Sequence, residues 1–186
     1  MQPRIIFCVL LGVFAAISLE VKAQENKWKE FTSEEDGFVV SLPTDPSVIS
    51  KDNMYNFGKV TIKAYTSNPK QGVGWRIATH NYPEPFASQV KPERLIELMR
   101  DDMSKNVKSK AEDIKEVKLD GYPGEEFVVH SPDPLTKKPL TNKTRLFAVK
   151  GKVYQLTVIA PKDDAVLGDV ASRFFTSFKL SKKKDQ

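Results

Sequence analysis

The chain has 186 residues, 40% of them hydrophobic and 28% charged, with a formal net charge of +5. This is ample for one domain with its own core, and its dispersed charge, without a helix-turn-helix, zinc-finger or RNP-like pattern, argues against nucleic acid as a partner. The single cysteine, Cys8, lies in the N-terminal apolar run, so disulfides, thiolate metal sites and a cysteine nucleophile are excluded from everything after it.

The first 23 residues read as a secretory signal. Arg4 supplies the positive start, Ile5 to Ile17 the apolar run, and Val21, Lys22 and Ala23 the small-residue site, so cleavage is expected after Ala23. The run falls short of the roughly 20 residues a membrane span requires, and no transmembrane segment is expected after cleavage. Residues 24–180 then form a single domain and 181–186 a basic flexible tail. The expected location is periplasmic or extracellular.

"GFVVSLP" (37–43) predicts a short strand closed by proline. "KVTIKAYT" (59–66) alternates Val60, Ile62 and Ala64 against Lys59, Thr61 and Lys63, as a half-buried antiparallel strand does. "GWRIATHNY" (74–82) pairs with it across a wide loop and places His80 on one face with Arg76, Ala78 and Tyr82. No second histidine or ligand-spaced acid accompanies His80, which is therefore read as a structural or surface residue. "NYPEPFASQV" (81–90) reads as a proline-rich loop exposing Tyr82 and Phe86.

The spacing predicts a helix over 92–110. Pro92 suits its first turn, Glu93 and Lys105 complement the dipole, and Leu95, Ile96, Met99, Met103 and Val107 form one apolar stripe. The stripe is read as a packing face, with its methionines as gap-fillers and not as a docking groove.

A "GYPG" turn (121–124) leads into "EEFVVH". Adjacent Glu125 and Glu126 must point to opposite faces of a strand, with His130 on the Glu126 side, so they cannot act as a catalytic carboxylate pair. "SPDPLTKKPLTN" (131–142) reads as a loop carrying Lys137 and Lys138. "KTRLFAVKGKVYQLTVIAP" (143–161) is the strongest hairpin, turning at Lys150 to Lys152. Asp163 or Asp164 is expected to cap a second helix through Phe175, and "SFKL" (177–180) a last strand.

The order of these landmarks, "GFVVSLP", "VTIKAYT", "LDGYPGEEF", "VYQLTV" and "FFTSFKL", resembles the PsbP-like group over residues 37–180. The resemblance implies an α+β fold, an antiparallel sheet covered by helices on both faces in an α/β/α sandwich. It implies no catalytic residues and no cofactor. The secretory-type leader differs from a plastid transit peptide.

The functional expectation is an exported, non-catalytic binding or assembly module of the bacterial envelope. No "GxSxG", "HExxH" or phosphate-cradling glycine loop is present, and the alternative is a periplasmic hydrolase whose site is assembled from distant loops. No metal is expected, and Glu34, Glu35 and Asp36 are the place where an oxygen-ligand site would be sought. With both sheet faces covered, binding falls to the loops: Lys137 and Lys138 for an anionic surface or an envelope protein, Tyr82 and Phe86 for a peptide. A monomer is expected.

Overall fold

The computed structural model describes residues 28–70, 73–162 and 164–181. The expected signal and its cleavage site lie outside the described residues, as do Asp163 and the tail from residue 182. Strands β1 (Lys29–Ser33) and β2 (Phe38–Leu42) open the chain, followed by β3 (Ser47–Tyr55), β4 (Gly58–Lys70) and β5 (Val73–Asn81). After the short helix α1 (Glu84–Ala87) and the long α2 (Pro92–Val107) come β6 (Glu112–Leu119), β7 (Tyr122–Pro132), β8 (Pro139–Val149) and β9 (Lys152–Pro161). A 3-10 turn (Ala165–Leu167), α3 (Asp169–Ser177) and β10 (Lys179–Leu180) complete it.

Seven strands form one antiparallel sheet in the order β3-β4-β5-β9-β8-β7-β6, and β1-β2-β10 form a second, smaller one. Helix α2 packs on β7 and β8, at one half of one face of the large sheet. There Leu95, Ile96 and Met99 meet Phe127, Val129, Leu146, Ala148 and Val153. The other face is covered by the small sheet together with α3. Phe38, Val40 and Leu42 of β2 and Phe174, Phe175 and Phe178 join Trp75, Ile77, Leu156 and Val158 in a single core. The expectation of one sheet between helices is corrected accordingly: the fold is mixed α+β with two antiparallel sheets, and β2 and β10 belong to the smaller one.

Several boundaries differ from the sequence reading for identifiable reasons. Strand β3 carries no apolar alternation because it is an edge strand exposed along nearly its whole length. Strands β7 and β8 extend to Pro132 and Pro139, a terminal pair at the ladder's end where missing N–H groups cost little, which reduces the expected 131–142 loop to residues 133–138. The turn before β7 is Asp120–Gly121, both at positive φ (50° and 85°), the two-residue hairpin turn that matches strand twist, and not the "GYPG" segment. Gly124 instead lies within β7, where an added Cβ would collide with the Leu146 carbonyl oxygen. Helix α2 ends at Val107, with Lys108 at φ 55° as its left-handed cap. Asp164 caps the 3-10 turn by accepting from the Val166 N–H at 2.9 Å, while α3 starts from Gly168. The expected loop at 81–90 contains α1.

Candidate functional site

The glutamate pair of "EEFVVH" is divided between the two faces, as strand alternation requires. Glu125 faces α2 and accepts from Arg100 Nη1 at 2.7 and 3.0 Å, tying helix to sheet. Glu126, buried on the opposite face, accepts from Arg145 Nε at 2.6 Å and lies 3.7 Å from Lys143 Nζ, while the Arg145 guanidinium stacks 4.8 Å above Phe175. Both carboxylates are consumed by architecture. His130 sits between the Thr141 hydroxyl (3.2 Å from Nδ1) and Glu112 (3.7 Å from Nε2).

Glu35 and Asp36 of the acidic stretch at 34–36 are likewise engaged in structural contacts. The buried Asp36 carboxylate accepts from Tyr65 Oη at 2.6 Å, and its backbone carbonyl accepts from Tyr154 Oη at 2.7 Å and Lys152 Nζ at 3.0 Å. Glu35 pairs with Lys63. These contacts pin the β1–β2 turn to the large sheet. Burial, with Asp36 beside it, pushes the Tyr154 hydroxyl up to about 12. No group of three or more acidic, histidine or cysteine side chains suited to a metal occurs among the described residues.

The α2 face of the large sheet departs from the expectation that both faces are closed. Because the helix packs mainly on β7 and β8, much of the face formed by β4, β5 and β9 stays open beside it, and a cavity of about 590 Å³ lies there. That volume falls within the range of small-molecule sites. The apolar stripe of α2 divides accordingly: Leu95, Ile96 and Met99 are buried, while Met103 and Val107, half-buried, turn to the cavity with Leu98, which is 41% exposed. Met99 and Met103 both line the cavity, so the stripe is a packing face at one end and a groove wall at the other.

An aromatic stack closes one end. Tyr55 and Phe57 lie 5.0 Å apart at 6°, Phe57 and Phe86 4.0 Å apart at 16°, and Tyr82 stands 5.6 Å from Phe86. Tyr82 and Phe86 are therefore half-buried groove residues and not loop-tip aromatics. Burial pushes the Tyr82 hydroxyl up to about 12.

The floor is polar. His80, opposite Val153 in the ladder, donates Nε2–H to Gln155 Oε1 at 3.1 Å; Gln155 donates to Thr157 Oγ1 at 3.2 Å, which lies 3.1 Å from Thr144 Oγ1. Burial lowers the His80 imidazole to about 4, so it is neutral at physiological pH. Arg76, directly opposite Thr157, also lines the cavity. Its Nε is buried without a hydrogen-bond partner among the described residues, and burial lowers the pKa of the guanidinium. The sequence reading placed Arg76, His80 and Tyr82 on one face, and all three reach the cavity. It did not single out Arg76, although a cation between Trp75 and Ile77 in a central strand is the local signal.

Among the described residues His80 is oriented by the Gln155 amide and not by a carboxylate, and the Thr157 hydroxyl is engaged on both sides.

Lys137 and Lys138 lie at the other end of the sheet, where β7 ends and β8 and β5 begin, whereas Tyr82 follows the end of β5. The two candidate loops do not form one surface. The 133–138 turn is rigid: Asp133 Oδ1 accepts from the Leu135 and Thr136 N–H groups at 2.9 and 2.7 Å, which holds its carboxyl below the usual range. Lys137 is at φ 60° with its ammonium on the Pro134 carbonyl oxygen at 2.8 Å.

No family model matches the chain, and no curated protein matches its sequence. Solved structures do share its fold. Cyanobacterial PsbP (CyanoP) from Synechocystis sp. PCC 6803 superposes with a TM-score of 0.54 at 10% identity, over 91% of this chain and 98% of that one. A protein from Bacteroides thetaiotaomicron superposes with a TM-score of 0.52 at 11% identity, over 86% of this chain and half (50%) of that one. The fold is therefore PsbP-like.

Proposed function

We propose that this protein is a non-catalytic binding module, exported to the bacterial envelope, and that the groove beside α2 is its binding site. One observation carries the binding site: an apolar-walled cavity of about 590 Å³ left open beside α2, with a polar floor. The exposed Leu98 and half-buried Met103 and Val107 leave apolar surface in the groove that a ligand would bury. The His80 imidazole, neutral and engaged by the Gln155 amide, supports binding without turnover over a hydrolase assembled from loops. The PsbP-like fold supports a module of this kind without adding a reaction.

The envelope location rests on the leader-like first 23 residues, and N-terminal sequencing of protein from its native host should begin at Gln24. Binding is tested with the neutral fluorophore N-phenyl-1-naphthylamine. Saturable fluorescence enhancement is expected, and Met103→Trp, which fills the groove from α2, should abolish it. No enhancement, or enhancement indifferent to Met103→Trp, would overturn the reading.

A further inference from the structure

The cavity has one unusual property: its only cation has no counter-charge in contact. Arg76 projects from the centre of β5, forms no ion pair within the described residues, and has a buried, unpartnered Nε. The groups around it are neutral or held elsewhere. On its own strand, His80 is neutral and donates to Gln155; on β9, Gln155 and Thr157 are neutral; on β8, Asn142 donates to the Val129 carbonyl and to Ser131. Helix α2 contributes the one acid of the lining, Asp102, which is exposed at the rim and accepts from Asn106 at 3.0 Å. On β4, the cross-strand neighbour of Arg76 is Thr66.

Arg76 is half-buried, with its Nε shut off from water and without a partner among the described residues while the residue faces the cavity, an arrangement whose desolvation cost an anion in the cavity would offset. The rest of the cavity specifies what accompanies the anion. Leu98, Met103 and Val107 make an apolar wall along α2, and Phe57 and Phe86 close the end. An inorganic anion would leave that wall wet. A flat protein surface would not reach Arg76 on the sheet.

Taking the groove as the binding site, we propose that its ligand is a single-chain amphiphile with a monoanionic, carboxylate-type head: the head seats on Arg76, and the chain runs along α2 towards the aromatic stack. Specificity for the head follows from the fork of donors that Arg76 offers, and tolerance in the chain from the two methionines.

The test is displacement of N-phenyl-1-naphthylamine by decanoate, decanol and decyltrimethylammonium, on wild-type protein and Arg76→Gln. Decanoate should compete about tenfold or more better than decanol, as a charge-assisted hydrogen bond requires, and decyltrimethylammonium should be weakest. Arg76→Gln, checked for native circular dichroism, should lose the decanoate preference and keep decanol affinity. Fluorophore binding with no head-group preference, or a preference that survives Arg76→Gln, would overturn this inference while leaving the groove as a binding site. Absence of fluorophore binding would instead remove the groove itself. Should Arg76→Gln fail to fold, the head-group series on the wild type decides alone.

Discussion

The two faces of the seven-stranded sheet are built from the same strands and solve opposite problems. The face under the small sheet is filled by rings: Phe38 touches Phe31, Tyr65, Tyr154 and Phe178, and its charges end in partners, Glu126 on Arg145 and Asp36 on Tyr65 and Lys152. Its unpaired buried groups are neutral, Trp75 Nε1 and Thr79 Oγ1. The α2 face is filled mainly over β7 and β8, and beyond the helix it keeps a guanidinium with no ion pair among the described residues and a neutral histidine beside an apolar wall. Stability should therefore reside in the first face and function in the second, and substitutions should separate them.

The largest effect is expected at the closed face. Phe38 is wholly buried, and Phe38→Ala should cost about 3–5 kcal/mol in urea unfolding through the cavity it leaves. Arg145→Met should cost about 2–4 kcal/mol by leaving Glu126 with only the more distant Lys143, a loss that double-mutant analysis with Glu126→Gln would reduce.

The open face should answer to pH. His80 has a folded pKa near 4, below its ordinary 6.5, so above pH 6.5 it is neutral folded or unfolded. As pH falls from 6.5 towards 4 the unfolded chain takes up the proton first, and about 1–3 kcal/mol of stability should be lost across that window. His80→Gln should flatten this part of the stability profile; an unchanged slope would place the titration elsewhere.

Arg76 sharpens the comparison by sign. Arg76→Met removes a charge with no ion pair among the described residues and should leave stability unchanged or raise it by up to about 2 kcal/mol, the reverse of Arg145→Met on the other face. Equal destabilisation by both would mean that the two faces are not different in kind. The smallest effect is expected outside both faces: Lys137→Glu with Lys138→Glu, in an exposed turn, should shift stability by less than about 0.5 kcal/mol and leave groove binding intact.

The closed face was legible in part, where it is written in alternation: Trp75 with Ile77, and Tyr154 with Leu156 and Val158, recur every second residue, whereas Tyr65 enters it from the side of β4 that the alternation of Val60, Ile62 and Ala64 marked as polar. The placement of Glu125 and Glu126 on opposite faces followed from the same period. The groove was not legible, because its existence depends on how far α2 reaches across the sheet, which no local pattern encodes. Leu95, Met99 and Met103 form one stripe in sequence, yet only the sheet beneath them decides which are buried. Strand β3 escaped for a related reason: an exposed edge needs no apolar face. The positions flagged for binding divided along the same line, Tyr82 and Phe86 entering the groove wall while Lys137 and Lys138 stayed on a turn at the far end.

The most direct test of a binding face opposed to a packing face is an amide NMR titration of the 15N-labelled protein with decanoate. The account predicts shifts at Arg76, His80, Gln155, Leu98 and Met103, with Phe38, Val40, Ala171 and the 133–138 turn unmoved. Shifts concentrated at the small sheet or at Lys137 and Lys138, or none at saturating decanoate, would contradict it.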